Sequence, residues 1–258
     1  MYEQAATIPV NRAFLFGDGI FETMVYADEE IRFWKDHQQR VSMGMRQLKM
    51  QPLRDPDIQL VEQLLNNLPL KPIPYRVRWN IFREGLGKYT PETNGHAKWL
   101  TVTPFQPVPR IKKEAYFCTS IKVHASPWAN CKTLNALPYV MANLERKEKG
   151  MDEVILLDEN GHLSEAGSSN LFWVKKGVFY TPSLENHCVS GVARKQILQL
   201  LKEQGINCQI GSHSPRDLLD ADQVFVSNIA GVSYIEKMEN RQFDCQPISD
   251  IESIFKFA

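Results

Sequence analysis

Excess charge of either sign is missing from this chain. Its 258 residues carry 30 basic and 30 acidic side chains, a formal net charge of zero. That balance argues against nucleic acid or an anionic membrane as the main partner. Long apolar runs are missing as well. None approaches the roughly 20 residues that a membrane-spanning helix needs. The five cysteines, Cys118, Cys131, Cys188, Cys208 and Cys245, are an odd number with no Cys-x-x-Cys spacing. Neither a disulfide framework nor a structural zinc site is expected, and the usage fits a reducing, cytoplasmic setting. The six histidines include no His-x-x-x-His pair, so no metal is expected. Met1-Tyr2-Glu3-Gln4 lacks a basic-then-apolar pattern, so no signal peptide is expected. Internal repeats and low-complexity tracts are also absent.

What is there is a chain long enough to bury a core without staples and comfortable as two domains. Residues 12–16 and Phe21 to Tyr26 read as two strands around the turn Gly17-Asp18-Gly19. Asp36 is placed to cap a helix with Val41, Met45 and Leu48 on one face. A second helix is predicted from Asp57 to Leu68, with Leu60, Leu64 and Leu68 in register, ended by Pro69, Pro72 and Pro74. Tyr75 to Phe82 alternates as a strand, with Arg76 and Arg78 opposite Tyr75, Val77 and Trp79. Glu84 to His96 reads as a loop and Trp99 to Thr103 as a strand. Pro104-Phe105-Gln106-Pro107-Val108-Pro109 is a stiff linker and the expected domain boundary. Beyond it, strands are predicted at Ala115 to Val123, Val154 to Leu157, Leu171 to Val174 and Val224 to Val226. Helices are predicted from Leu137 to Lys149, closed by Gly150, from Gly191 to Glu203, at Asp217 to Ala221 and at Ser249 to Phe255. This mixture fits an α+β second half better than an alternating parallel design.

Three pieces of this half carry chemistry in a suggestive order. Lys132 opens Lys132-Thr133-Leu134-Asn135 at a loop-to-helix transition with no neighbouring charge. A partly buried lysine loses some preference for the charged form, as an imine-forming amine requires. Glu165 begins Glu165-Ala166-Gly167-Ser168-Ser169-Asn170. In isolation it reads as an exposed acid after a hairpin turn. The small residues behind it would also let a flat ring approach the backbone. Ser190-Gly191-Val192-Ala193-Arg194 reads as a helix start capped by Ser190, or as one whose Val192 and Ala193 N–H groups face an anion. Ser227-Asn228-Ile229-Ala230-Gly231 reads equally as a second phosphate clamp or a plain turn, and Arg40 alone reads as a solvated helix charge. An amine, an acid and an anion-ready helix start, in that order, are what holding pyridoxal 5'-phosphate requires. The amine forms a Schiff base with the aldehyde, the acid keeps the ring nitrogen protonated, and N–H groups take the phosphate.

Taken together, these residues resemble the class IV aminotransferases, the fold type IV pyridoxal-phosphate enzymes. That family includes branched-chain and D-amino acid aminotransferases and aminodeoxychorismate lyase. The resemblance runs from Arg12 to about Val232. The segment from Arg12 to Thr23 resembles the family's N-terminal signature, and His37 with Arg40 its His-x-x-Arg phosphate motif. Lys132 matches the Schiff-base lysine, Glu165 the ring-nitrogen acid and Asn170 the asparagine that follows it. Val192 and Ala193 match the phosphate-binding helix start, and Asn228 and Ile229 the last phosphate contact. Asn170-Leu171-Phe172-Trp173, Tyr180-Thr181-Pro182 and Lys132-x-Leu134-Asn135-x-Leu137 are similar to aminodeoxychorismate lyase, and the last is shared with D-amino acid enzymes. Where branched-chain enzymes carry a tyrosine, this chain has Leu137, with Tyr139 two residues on.

The resemblance implies a two-domain fold, with a small N-terminal α/β domain (1–108) and a larger C-terminal α+β domain (109–258). Cofactor would lie in the cleft between them. It also implies a homodimer whose active site borrows residues from the partner subunit, and a small-molecule amino substrate anchored by Arg83 and Lys88. The activity it implies is 4-amino-4-deoxychorismate lyase, releasing pyruvate to form p-aminobenzoate in folate biosynthesis. The alternative is a branched-chain or D-amino acid aminotransferase on the same scaffold.

Overall fold

The computed structural model describes residues 10–69, 71 and 73–256. The Met1 to Gln4 stretch read for a leader and the helix-ending Pro72 lie outside the described residues. The first described element is a helix, α1 (Arg12–Phe16), where the sequence reads as a strand running into the Gly17-Asp18-Gly19 turn. Its ends explain the difference. The Asn11 side chain accepts the Phe14 N–H at 2.9 Å, and Gly17 closes the turn in the left-handed region at φ 63°. The buried Arg12 then donates to Asp18 at 2.7 Å and to the Leu86 and Lys88 carbonyls at 2.9 and 2.8 Å.

β1 (Gly19–Ala27), β2 (Glu30–Ile31), β3 (Tyr75–Arg83) and β4 (His96–Pro104) form an antiparallel sheet in the order β2-β1-β3-β4. One face packs on α2 (Trp34–Gln47) and α3 (Asp55–Asn67), burying Ile20, Met24, Val41, Met45, Val61, Leu65, Val77 and Trp79. Asp36 does not cap α2. Phe33 takes that position in a left-handed conformation, and Asp36 sits in the first turn, bonded to Lys195 and Gln196 of the second half. The buried face of α3 is one position off the predicted one. Val61 and Leu65 are buried, whereas Leu60, Leu64 and Leu68 are exposed.

Residues 105–109 have no regular structure, and the chain then enters a second, mixed sheet. Its strands are β5 (Ile111–Val123), β6 (Glu153–Asp158), β7 (Leu163–Ala166), β8 (Asn170–Lys175), β9 (Val178–Pro182), β10 (Cys208–Gly211), β11 (Gln223–Asn228), β12 (Gly231–Met238) and β13 (Arg241–Gln242). They run in the order β10-β9-β8-β11-β12-β5-β6-β7, with β13 paired to β12. The helices are α4 (Leu137–Glu148), α5 (Val192–Glu203), α6 (Pro215–Leu219) and α7 (Ser249–Ser253). One core, around Trp173, Leu218 and Ile235, fills one face of the sheet. A second, around Phe172, Ile197, Phe225 and Tyr234, packs α5 and α7 on the other. The short β7, β9 and β10 and the partly charged β12 carry no sequence pattern strong enough to declare them. Their partners in the sheet make them strands.

Candidate functional site

Between the two sheets lies a cavity of about 400 Å³. Lys132 enters it from a segment clipped to both halves. The Phe21 N–H donates to the Lys132 carbonyl at 2.9 Å, and the Leu134 N–H to the Gly19 carbonyl at 2.8 Å. On the other side the Ser190 N–H donates to the Asn130 carbonyl at 3.0 Å, while Asn130 Nδ2 donates to the Leu184 and Cys188 carbonyls at 2.9 and 2.7 Å. The lysine backbone is thereby held in place, and only the side chain is free to swing. Nζ lies 4.5 Å from the centre of the Phe21 ring. The side chain is enclosed by protein yet open to the cavity. That enclosure, helped by the positive charge of Arg40, lowers its pKa from 10.5 to about 8.

Glu165, on β7, is buried and faces the same cavity. Its Oε1 accepts the Tyr139 hydroxyl at 2.6 Å and the Val189 N–H at 3.2 Å. Burial raises its pKa to about 7, against the opposing pull of Tyr139, Val189 and Lys132. The carboxyl therefore titrates near neutrality, poised to hold a proton or release it. Leu137 is exposed on α4, and Tyr139, two residues on, is the one that reaches the cavity.

The opposite end is built for an anion. α5 starts at Val192 with Gly191 as its N-cap, not Ser190, and no side chain caps it. The Val192 and Ala193 N–H groups fall in the first turn, where a helix supplies no acceptor. Gly191 is required by close packing: a Cβ there would meet Asn170 Oδ1 at 2.0 Å. Asn170 in turn donates to the Ser227 carbonyl at 2.7 Å. Asn228 donates to Ser169 Oγ at 3.1 Å, and Ile229 follows it on the wall. Arg40 completes this end. Its Nε donates to Glu22 Oε1 at 2.8 Å, a second nitrogen bonds Glu22 Oε2, and a third reaches the Ser190 carbonyl at 3.3 Å. Glu22 also holds His37 Nδ1 at 2.7 Å. Burial alone would raise the Glu22 pKa, but Arg40 and His37 outweigh it and hold the carboxyl down at about 2. His37 Nε2 is buried on the cavity wall with no hydrogen-bond partner among the described residues.

Lys132, Glu165, Arg40, Asn170, Val192, Ala193, Asn228 and Ile229 thus line one cavity. Arg83 and Lys88 do not. Strand alternation puts Arg83 on the β3 face opposite Arg76 and Arg78. Its guanidinium is bound there by Asp18 at 3.0 Å, Asn94 at 2.6 Å and the Leu48 carbonyl at 2.6 Å. Lys88 is exposed on its loop, away from the cavity of its own chain. The cations on this wall are Arg76 and Arg78, which sequence reading had placed on the strand but not in the site. Glu22 and Tyr139 were also missed as site residues. Glu22 has no local signal, because its partners come from α2.

A buried amine, a buried acid and an uncapped helix start around one cavity fit pyridoxal phosphate. The Gly191 cradle and the unpartnered His37 nitrogen fit it as well. The family model of amino-transferase class IV matches residues 19–235. Aminodeoxychorismate lyase of Vibrio harveyi is 27% identical over 255 residues, covering 90% of this chain and 88% of the relative. D-alanine aminotransferase of Bacillus licheniformis is 27% identical, with 84% of this chain and 77% of the relative covered. The solved branched-chain aminotransferase of Thermoproteus uzoniensis superposes with a TM-score of 0.87 at 22% identity, over 98% of this chain and 89% of that one. The two-sheet architecture is thus that of the fold type IV enzymes, and relatives of differing activity stand at similar distances.

Proposed function

The chain belongs to the amino-transferase class IV family, and from that membership we propose that it is a pyridoxal 5'-phosphate-dependent enzyme acting on a small amino substrate, with 4-amino-4-deoxychorismate lyase as its activity. The observation that carries the cofactor assignment is the meeting of Lys132, Glu165 and the open start of α5 around one cavity. Lys132 would hold the aldehyde end and Glu165 the ring nitrogen. Arg40, Val192, Ala193, Asn228 and Ile229 would hold the phosphate, with Asn170 keeping Gly191 and Ser227 in register. When bound, the cofactor supplies an aldehyde for an amine and a ring that accepts an electron pair.

The chain's own residues do the rest. Lys132 Nζ, with a pKa near 8, is uncharged in a useful fraction at neutral pH and takes a proton from the substrate carbon that bears the nitrogen. Glu165, near 7, keeps a proton at the ring-nitrogen end, and Tyr139 orients its carboxyl. Arg40 supplies charge to the phosphate end while Glu22 fixes its plane. In the lyase reading, the proton abstracted by Lys132 leads to loss of pyruvate and formation of p-aminobenzoate. The stretches around Asn170 and Lys132, and the Vibrio harveyi relative, favour that reading. The aminotransferase reading is favoured by the Bacillus licheniformis and Thermoproteus uzoniensis enzymes. In it, Lys132 Nζ would both take the proton and give it back, and a keto acid would be the second substrate.

The division into domains 1–108 and 109–258, and a homodimer in which Lys88 is available to the partner's cavity, belong to the same proposal. Incubation with aminodeoxychorismate tests the activity. Release of pyruvate supports the lyase. Its absence, with ping-pong amino transfer from an amino acid donor, would replace it by the aminotransferase.

A further inference from the structure

The connection from β9 to α5, residues 183–191, meets the site at three points. The Val189 N–H donates to both Glu165 carboxyl oxygens, at 3.2 and 3.3 Å. The Ser190 carbonyl accepts from Arg40 at 3.3 Å. Gly191 then opens α5, whose first N–H groups have no acceptor in the helix. The connection has little regular structure to hold this path. It contains one 3₁₀ turn, Leu184–Asn186, followed by His187 in the left-handed region at φ 66°. A non-glycine residue keeps that conformation only where its surroundings impose it.

Two side chains impose it. The buried Asn186 donates to the buried Asp158 Oδ2 at 2.9 Å, at the end of β6. Asn130 binds the connection at three places. Its Nδ2 donates to the Leu184 and Cys188 carbonyls at 2.9 and 2.7 Å, and its own carbonyl accepts the Ser190 N–H at 3.0 Å. Both amide hydrogens are thereby used, and two carbonyls four residues apart are drawn to one nitrogen. A carboxylate of the same shape has no hydrogen to offer them. Asn130 also stands two residues from Lys132 and outside the cavity lining. Its bonds therefore join the segment that carries the amine to the segment that serves the acid and the anion end.

We propose that Asn130 is a positioning residue: it fixes the β9–α5 connection against the Lys132 segment, and so aligns the Val189 N–H on Glu165 and the start of α5 on the anion end. What the aligned groups accomplish rests on the pyridoxal-phosphate reading. Asn130 itself acts through its neighbours. Without its amide hydrogens the Leu184 and Cys188 carbonyls lose their donor, the left-handed turn at His187 relaxes, and Val189 and Gly191 move together.

The test is Asn130→Asp, which keeps the shape and turns an acceptor toward both carbonyls. The Val189 N–H favours the ionised form of Glu165, so loosening it should raise the Glu165 pKa from about 7 by about half a unit, read from the ¹³C resonance of the carboxyl in the full cofactor-free chain. Uptake of pyridoxal phosphate, followed by absorbance, should weaken about tenfold. Asn130→Ala leaves room for water at the two carbonyls and should show both changes in smaller size, which keeps the test open if the first variant does not fold. Ser183→Ala is the control. It removes a bond that caps the same connection, from the Glu185 N–H to Ser183 Oγ at 3.2 Å, and should lower the thermal midpoint while leaving both readouts in place. An unmoved Glu165 resonance or unweakened uptake in the Asn130 variants, or equal changes in Ser183→Ala, overturns the proposal. Absence of uptake by the unaltered protein overturns the functional reading instead, and the carboxyl titration, which needs no cofactor, then tests Asn130 by itself.

Discussion

Tyr139 donates its hydroxyl proton to Glu165 at 2.6 Å and is the only side-chain donor to that carboxyl among the described residues. Tyr139→Phe should therefore raise the Glu165 pKa above about 7, by about one unit, as read from the ¹³C resonance of the carboxyl in cofactor-free protein. An unmoved resonance would show that the hydroxyl does not govern the acid. The same burial makes a statement about stability. Glu165 titrates near 7 when folded and near 4.5 when unfolded. Below pH 4.5 both states are protonated and its contribution is full. As pH rises from 4.5 through 7 the unfolded chain ionises this acid freely while the folded chain resists, and that contribution is lost, on the order of 3 kcal/mol. In denaturant titrations of cofactor-free protein, Glu165→Gln should be free of this loss between pH 4.5 and 7. An identical pH slope in both proteins would refute it. Lys132, Glu165 and Arg40 were legible in the sequence because motif order survives where local pattern is weak. Arg83 was misread although the needed signal was present: the alternation that sets Arg76 and Arg78 on one face of the strand sets Arg83 on the other. Tyr139 lay hidden because helix α4 begins at Leu137 and rotates that residue outward.

Helix α5 depends on a glycine at its threshold, because Asn170 occupies the space a Cβ would need. Gly191→Ala should displace either Asn170 or the first turn of the helix and reduce pyridoxal-phosphate affinity about tenfold, with helix content retained. Cofactor titration alongside far-UV circular dichroism checks this, and unchanged affinity would separate the helix start from the phosphate. Long amphipathic elements were readable: α2, α4 and α5 fall within a few residues of their predicted spans. Short ones were not. α1 owes its existence to Asn11, Gly17 and the burial of Arg12 rather than to its apolar residues. β7, which carries Glu165, becomes a strand only by pairing with β6. The face of α3 was misplaced because leucines at Leu60, Leu64 and Leu68 form as good a stripe as the one that is buried. Periodicity identifies a helix without saying which stripe meets the sheet.

At the scale of the whole molecule, exposed apolar side chains gather on α1 and α4. Phe14, Leu15 and Phe16 of α1 are exposed beside Tyr89, which is 91% exposed and 5.8 Å from the Phe16 ring. Gly17 packs against Asn135, near the start of α4, whose Leu137, Val140, Met141 and Leu144 are also exposed. No helix among the described residues is long and apolar enough to cross a membrane. A second copy of the chain suits this surface, and light scattering should give twice the 29.7 kDa of one chain. A monomer mass would contradict the dimer. The central claim, that both sheets converge on a pyridoxal-phosphate site closed by Lys132, is tested most directly by borohydride reduction of the protein mixed with pyridoxal phosphate, followed by peptide mass spectrometry. The expected result is a single pyridoxyl-phosphate adduct on Lys132, absent from Lys132→Ala. No adduct, or one spread over exposed lysines and unaffected by that substitution, would contradict it.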